Sequence, residues 1–206
     1  MAIKQLIGSA FALANSLHPD VRQAWVKASL RVGALLPDSL LDVSVQRFGE
    51  LDILLRALED ESTRPGEADG EVEIWATTQL VFLSEIWVGG LYETFRALKA
   101  RKLVADKTFD GIARDLKLIR ITLEKYEIAD DNKLDTPLAM QRQPDNAAAA
   151  DIYYYSKLDP RRAHIMPSGK SDRGSVMWGV TDIRVKEARW LERRALSDRI
   201  ITLWML

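Results

Sequence analysis

"VEIWATTQLVFLSEIWVGGLYETFRALKAR", Val72 to Arg101, decides how the rest of the chain is read. Val72, Ala76, Gln79, Leu83, Trp87, Gly90, Thr94 and Leu98 recur at three- and four-residue spacing, which places them on one face of a helix. Trp75, Leu80, Ile86 and Leu91 widen that face, and Val81, Val88 and Phe95 fall opposite it. From Leu80 to Phe95 the helix is therefore apolar nearly all round, and a helix of that kind sits at the centre of a fold with neighbours on every side. Gly89 and Gly90 each cost about 1 kcal/mol of helix propensity against Ala, so they imply another backbone passing very close or a local kink. The window Leu80 to Tyr92 is too short to cross a bilayer and carries Glu85 at its middle, which argues for a core helix and no membrane.

Working outward, the N-terminal segment repeats the helical pattern three times. Ile3, Ile7, Ala10, Ala14 and Leu17 form one stripe. Pro19 opens a second helix with Val21, Trp25, Ala28, Val32 and Leu35, and Pro37 stops it. Asp38 is the expected N-cap of a third, with Leu41, Val45, Phe48, Leu51, Leu55 and Leu58 on one face. The acidic, turn-rich stretch from Glu59 to Glu71 reads as an exposed loop before the central helix.

After that helix, Phe109, Ile112, Ala113, Leu116, Ile119 and Leu123 predict its antiparallel mate. Periodicity is lost from about Asp130 to Ala150, where Pro137 and Pro144 mark a long connection. Tyr153 to Tyr155 and Gly174 to Val180 have strand-like content and predict a small β-hairpin. A last helix from about Arg194 would bury Leu196, Ile200, Leu203 and Trp204, while residues 183–193 read equally well as helix or strand. The expected fold is mainly α: a multi-helix bundle around a long central helix, with a small C-terminal α+β element of β-hairpin plus terminal helix. It is read as one globular domain over 1–206, made of N-terminal helices 1–60, a central helical hairpin 72–130 and a loop-rich α+β tail 131–206.

Composition removes several chemistries. The 206 residues contain no cysteine, which excludes disulfides, thiolate metal sites and cysteine nucleophiles and suits a reducing cytoplasm. The two histidines, His18 and His164, are far apart in sequence and form no helical ligand pair, so neither a metal nor a cofactor is expected. The start of the chain lacks a small-residue cleavage site and reads as a first helix rather than a secretory leader. Net charge is −1, yet residues 151–206 hold 11 Lys/Arg against 7 Asp/Glu. That local excess points to a polyanion-binding face or to attraction between the two halves.

Three fragments suggest chemistry. Gly169, Lys170 and Ser171 spell the end of a phosphate loop, but the first glycine is replaced by His164, Pro167 removes an N–H donor, and "DRG" is a turn and not a helix start. The triplet reads as a hairpin tip. Second, Arg120 lies within the Leu116, Ile119 and Leu123 stripe, with Glu124 as its partner one turn on and Tyr126 beyond. Arg120, five residues, then Tyr126 resembles the HEPN-type helical ribonucleases and toxins, whose Arg is followed by four to six residues and a His. The resemblance implies Arg120 and Tyr126 as candidate catalytic residues, with Glu124, the partner of Arg120, beside them. The His position holds Tyr126, a poor general acid or base near neutral pH because an unperturbed phenol titrates near 10. Third, Tyr154, Arg161, Arg162, His164, Lys170 and Arg173 interleave aromatic and basic groups in the way that single-stranded nucleic acid is held.

No catalytic constellation is complete, so the leading expectation is a non-catalytic helical interaction or assembly protein, a homo-oligomer or a binder of a protein partner. The alternative is a nucleic-acid-acting module, either a degenerate HEPN-like ribonuclease or an RNA binder using the basic tail.

Overall fold

A computed structural model describes residues 2–64, 70–142 and 151–205. Helices α1 (Ile3–Leu17), α2 (Pro19–Leu35) and α3 (Leu41–Ser62) precede the 31-residue α4 (Gly70–Ala100) and its mate α5 (Lys107–Lys125). A 3-10 turn at Asp131–Lys133 leads to β1 (Leu138–Arg142) and β2 (Asp151–Tyr155), an antiparallel pair. A second antiparallel sheet has the order β3 (Ser168–Lys170), β4 (Val176–Asp182), β5 (Glu187–Glu192), and β5 runs directly into α6 (Arg193–Met205). The architecture is mainly α with a small α+β element, as the sequence pattern predicts.

The central helix is central over its second half. Trp87, Val88, Leu91, Phe95 and Leu98 are wholly enclosed by α3, α5, α6 and β4. Phe95 stacks on Phe109 of α5 at 4.8 Å and meets Trp204 of α6 edge-on at 6.5 Å. The first half is different: Ile74, Trp75, Phe82 and Ile86 stand in solvent, so the helix is not covered on all sides as its composition implied. The expectation that it is too short to span a bilayer also needs correction. The stretch Ile74–Ala100 is long and apolar enough to do so by length and composition, although Trp87, Val88, Leu91, Phe95 and Leu98 within it are enclosed by protein.

Two glycines let helices touch. A Cβ on Gly49 would lie 2.6 Å from the Trp25 side chain, so α2 and α3 meet with that side chain directly against the Gly49 backbone. A Cβ on Gly90 would lie 1.8 Å from Cζ of Phe48; what approaches α4 there is an aromatic ring of α3 and not the second backbone that the sequence suggested. The Trp87 indole N–H donates to the Phe48 carbonyl at 3.1 Å and pins the same contact.

Other expectations shift. Of the α1 stripe only Ala14 is buried, while Ile3, Ile7 and Leu17 are exposed. Asp38 is no N-cap; it sits in the α2–α3 turn at φ 64, and α3 begins after Leu40. The buried face of α3 is rotated off the predicted stripe, leaving Phe48, Leu51 and Leu58 half-covered and placing Asp52, Arg56 and Glu59 inside. Within the long connection after Asp130, β1 is an unforeseen strand, and residues 143–150 lie outside the described part of the chain. The predicted hairpin becomes two sheets. Residues Glu187–Glu192 are strand, which settles the open reading of 183–193, and Leu196, Ile200 and Trp204 of α6 face the core. Gly169 and Lys170 belong to β3, and the turn proper runs from Ser171, whose N–H donates to the Ser175 carbonyl at 2.8 Å.

Candidate functional site

The most highly organised polar cluster is one that sequence reasoning missed. Asp52, Arg56 and Glu59 follow one another at helical spacing on α3 and turn inward toward Arg193, the first residue of α6. Arg193, Asp52 and Glu59 have no exposed surface. Arg193 donates through Nε and Nη2 to the two carboxylate oxygens of Glu59 at 2.7 and 2.8 Å, and through Nη1 to Asp52. Its guanidinium lies over the Trp87 ring at 5.4 Å. Asp52 also accepts from Arg56 Nε at 2.9 Å and from the Trp25 indole at 2.8 Å. Burial pushes the Asp52 carboxyl up, but the guanidinia of Arg193 and Arg56 outweigh that and hold it below the usual range. Burial likewise opposes the charge on Arg193, and Asp52 and Glu59 more than restore it. Asp52 and Glu59 balance Arg56 and Arg193 in charge, the condition under which buried charge is tolerated, and Arg56 also donates through Nη2 to Ser197 at 2.9 Å and to Asp198 at 2.6 Å. Asp52, Glu59 and Arg193 are enclosed and so out of reach of a substrate. The set fastens the start of α6, which Ser175 Oγ caps by accepting the Arg194 N–H at 3.0 Å, to the middle of α3.

The HEPN-like residues do not converge. Arg120 is half-buried, bonded to Glu124 at 2.6 Å, 3.6 Å from Glu93 and 5.1 Å above the Tyr92 ring. Tyr126 ends α5 in the left-handed region at φ 55 with its ring exposed, and its contribution is a backbone carbonyl that accepts the His164 N–H at 2.8 Å. It does not line the groove that holds Arg120 and Glu124.

The basic tail is likewise dispersed. Tyr154, Arg161 and Lys170 are exposed. Arg162 is held by Asp131 and Glu127, both at 2.8 Å, and Arg173 by Glu192. His164 is buried, its Nδ1 2.9 Å from the Tyr153 hydroxyl, and burial lowers its pKa so that the ring stays neutral at pH 7. Among the described residues no cluster of His, Asp and Glu is arranged to hold a metal.

What remains is the outer face of α4. Trp75, Phe82 and Ile86, exposed by 63, 55 and 44%, lie one or two turns apart on one side of the helix and run into a groove of about 530 Å³. Phe48, Gly89 and Gly90 form its floor, with Leu123, Arg120 and Glu124 of α5 on one wall. Gly89 is open, since a Cβ there would meet nothing nearer than Glu124 Oε1 at 3.4 Å. Glu85 stands at the rim, and burial among apolar neighbours raises its pKa. Comparison with family models, with curated proteins and with solved structures finds no match to this chain.

Proposed function

We propose that the protein is a non-catalytic helical assembly protein whose working form is a homodimer made by antiparallel pairing of two copies of α4. The observation that carries this reading is the solvent-facing stripe Trp75, Phe82 and Ile86 on a helix whose second half builds the core. A contiguous apolar strip of that kind on a folded chain marks a surface that is covered in use.

A second copy fits it by charge. The helix is acidic toward its start, at Glu71, Glu73 and Glu85, and basic at its end, at Arg96 and Lys99 with Arg101 and Lys102 just beyond. Glu93, the acid of the basic half, is bonded to Arg96 at 2.6 Å. An antiparallel register centred on Ile86 brings that residue opposite itself and Phe82 toward Gly89, which leaves the groove open. The interface is then isologous, with each copy supplying the same knob and the same notch. The absence of cysteine supports a reducing compartment such as the cytoplasm. Action on RNA through Arg120 or the tail has less support, because Tyr126 lies apart from Arg120, and Arg162 and Arg173 are already paired with carboxylates.

Size-exclusion light scattering tests this. Wild type should scatter at twice the 23.3 kDa of the chain, and Phe82→Glu with Ile86→Glu should scatter as the single chain with an unchanged helical circular dichroism signal. Wild-type protein that is monomeric at about 100 μM, or that is captured by phosphatidylcholine vesicles as a monomer, would overturn it.

A further inference from the structure

At the other end of α4 lies a groove of about 650 Å³ between its last two turns and the first half of α5. Five cations, Arg96, Lys99, Arg114, Lys117 and Arg184, and one acid, Asp110, line it above a floor that includes Tyr92 and Phe95. We propose that this groove is a binding site for a small phosphorylated molecule, with the phosphoryl group held by Arg114, Lys117 and Arg184.

The argument is a count of donors against acceptors. Lys117 and Arg184 share one carboxylate, Asp130, at 2.6 and 3.0 Å, and Lys133 approaches the same group at 3.8 Å. Burial raises the Asp130 carboxyl, and these neighbours pull it below the usual range, so it is ionised and fully committed. Arg114 reaches Asp182 through Nη2 alone, and its Nε is buried with no acceptor. Lys99 is paired with Asp110 at 2.6 Å, and Arg96 uses Nε on Glu93. An ammonium offers three N–H donors and a guanidinium five, so Arg114, Lys117 and Arg184 each have more donors than the side-chain acceptors they bond. A phosphoryl group brings acceptor oxygens and two negative charges that the spare donors of Arg114, Lys117 and Arg184 can take up. The apolar floor suits a ligand with an uncharged body beside its phosphate, such as a nucleoside diphosphate.

Isothermal titration with pyrophosphate and with ADP at low salt tests the site on the full chain. Both should bind, and Arg96→Gln with Lys99→Gln, which breaks only exposed ion pairs, should weaken both by roughly threefold to tenfold. Arg114→Gln with Lys117→Gln should weaken both by roughly tenfold or more, with a cooperative unfolding transition confirming that the variant is folded. Arg161→Gln with Lys170→Gln, cations outside the groove, should leave affinity unchanged. No binding at about 10 mM of either probe, loss of binding in the Arg161 and Lys170 variant, or binding of an oligouridylate in preference to both probes would each overturn the proposal.

Discussion

Replacing Arg193 by Met should be among the most damaging single changes available to this chain. The side chain is fully enclosed, and three of its nitrogens are bonded to Glu59 and Asp52. Its removal leaves two buried acids facing one buried base, Arg56, with Glu59 left only the Arg194 Nη1 at 3.8 Å. Breaking a buried pair by deleting one partner costs about 3–5 kcal/mol, because the stranded charge keeps its desolvation penalty. For a chain of this length about 1 kcal/mol moves Tm by roughly 2–4 °C, so the melting point should fall by roughly 6–20 °C. The compensating experiment is the double variant Arg193→Met with Glu59→Gln, which restores one acid to one base. Its cost should be smaller than the sum of the two single costs by about 2 kcal/mol or more. Urea unfolding followed by tryptophan fluorescence gives all three values, since Trp25 and Trp87 touch the network. The pH dependence follows from Asp52. Its carboxyl is held below its ordinary value in the folded chain, so its stabilisation is complete above that value and is lost as pH falls through the folded pKa. A single variant costing under about 1 kcal/mol, or additive costs in the cycle, would refute the view that these charges depend on one another.

Gly90→Ala puts a methyl 1.8 Å from Cζ of Phe48, so the ring must leave its seat. Overpacking should cost about 1–3 kcal/mol despite the better helix propensity of Ala, and adding Phe48→Ala should recover part of it; equal stability of wild type and Gly90→Ala would remove Phe48 as the reason for this glycine. Glu85→Gln should raise Tm at pH 7. The Glu85 carboxyl is raised by burial, so the folded chain favours its neutral form, and its destabilising effect is absent below the ordinary value of 4.5 and grows as pH rises through the folded pKa. The gain from Gln should therefore vanish near pH 4, and a gain that is independent of pH would point to packing instead.

The parts of the fold that a sequence pattern exposes are those whose neighbours are local or indifferent. Trp25, Ala28 and Val32 of α2, and Phe109, Ile112, Leu116 and Ile119 of α5, are buried as their spacing predicts, because each helix presents one stripe to one core. The stripe of α1 is just as regular, yet Ile3, Ile7 and Leu17 remain outside, since periodicity specifies an apolar face and not the presence of something to cover it. The α3 face was misplaced for the opposite reason. With α1, α2 and α4 against it, α3 buries more than one stripe, and the charges of Asp52, Arg56 and Glu59 are admitted because a partner waits on α6. Strand β1, "LAMQR", carries no β-branched residue; its conformation comes from pairing with β2, in which Leu138 faces Tyr155 across the ladder.

Sites were less legible than elements because a cation's role depends on acceptors that sequence distance conceals. Arg193 finds Glu59 across 134 positions and Asp52 across 141, and Arg173 finds Glu192 across 19, so basic residues that looked alike in a charge count are already spent. The spacing of Asp52, Arg56 and Glu59 is equally that of a solvated helix face, so the pattern on α3 gave no sign that these charges are buried. Arg114, Lys117 and Arg184 reach one wall from α5 and from the turn after β4, and there the acceptors are too few. The contrast decides what each cluster can do. Where carboxylates balance guanidinia in charge and the groups are enclosed, as at Arg193, the charges hold helices together and are closed to solutes. Where two cations divide one carboxylate, as at Asp130, the unfilled donors remain available to an anion from solution.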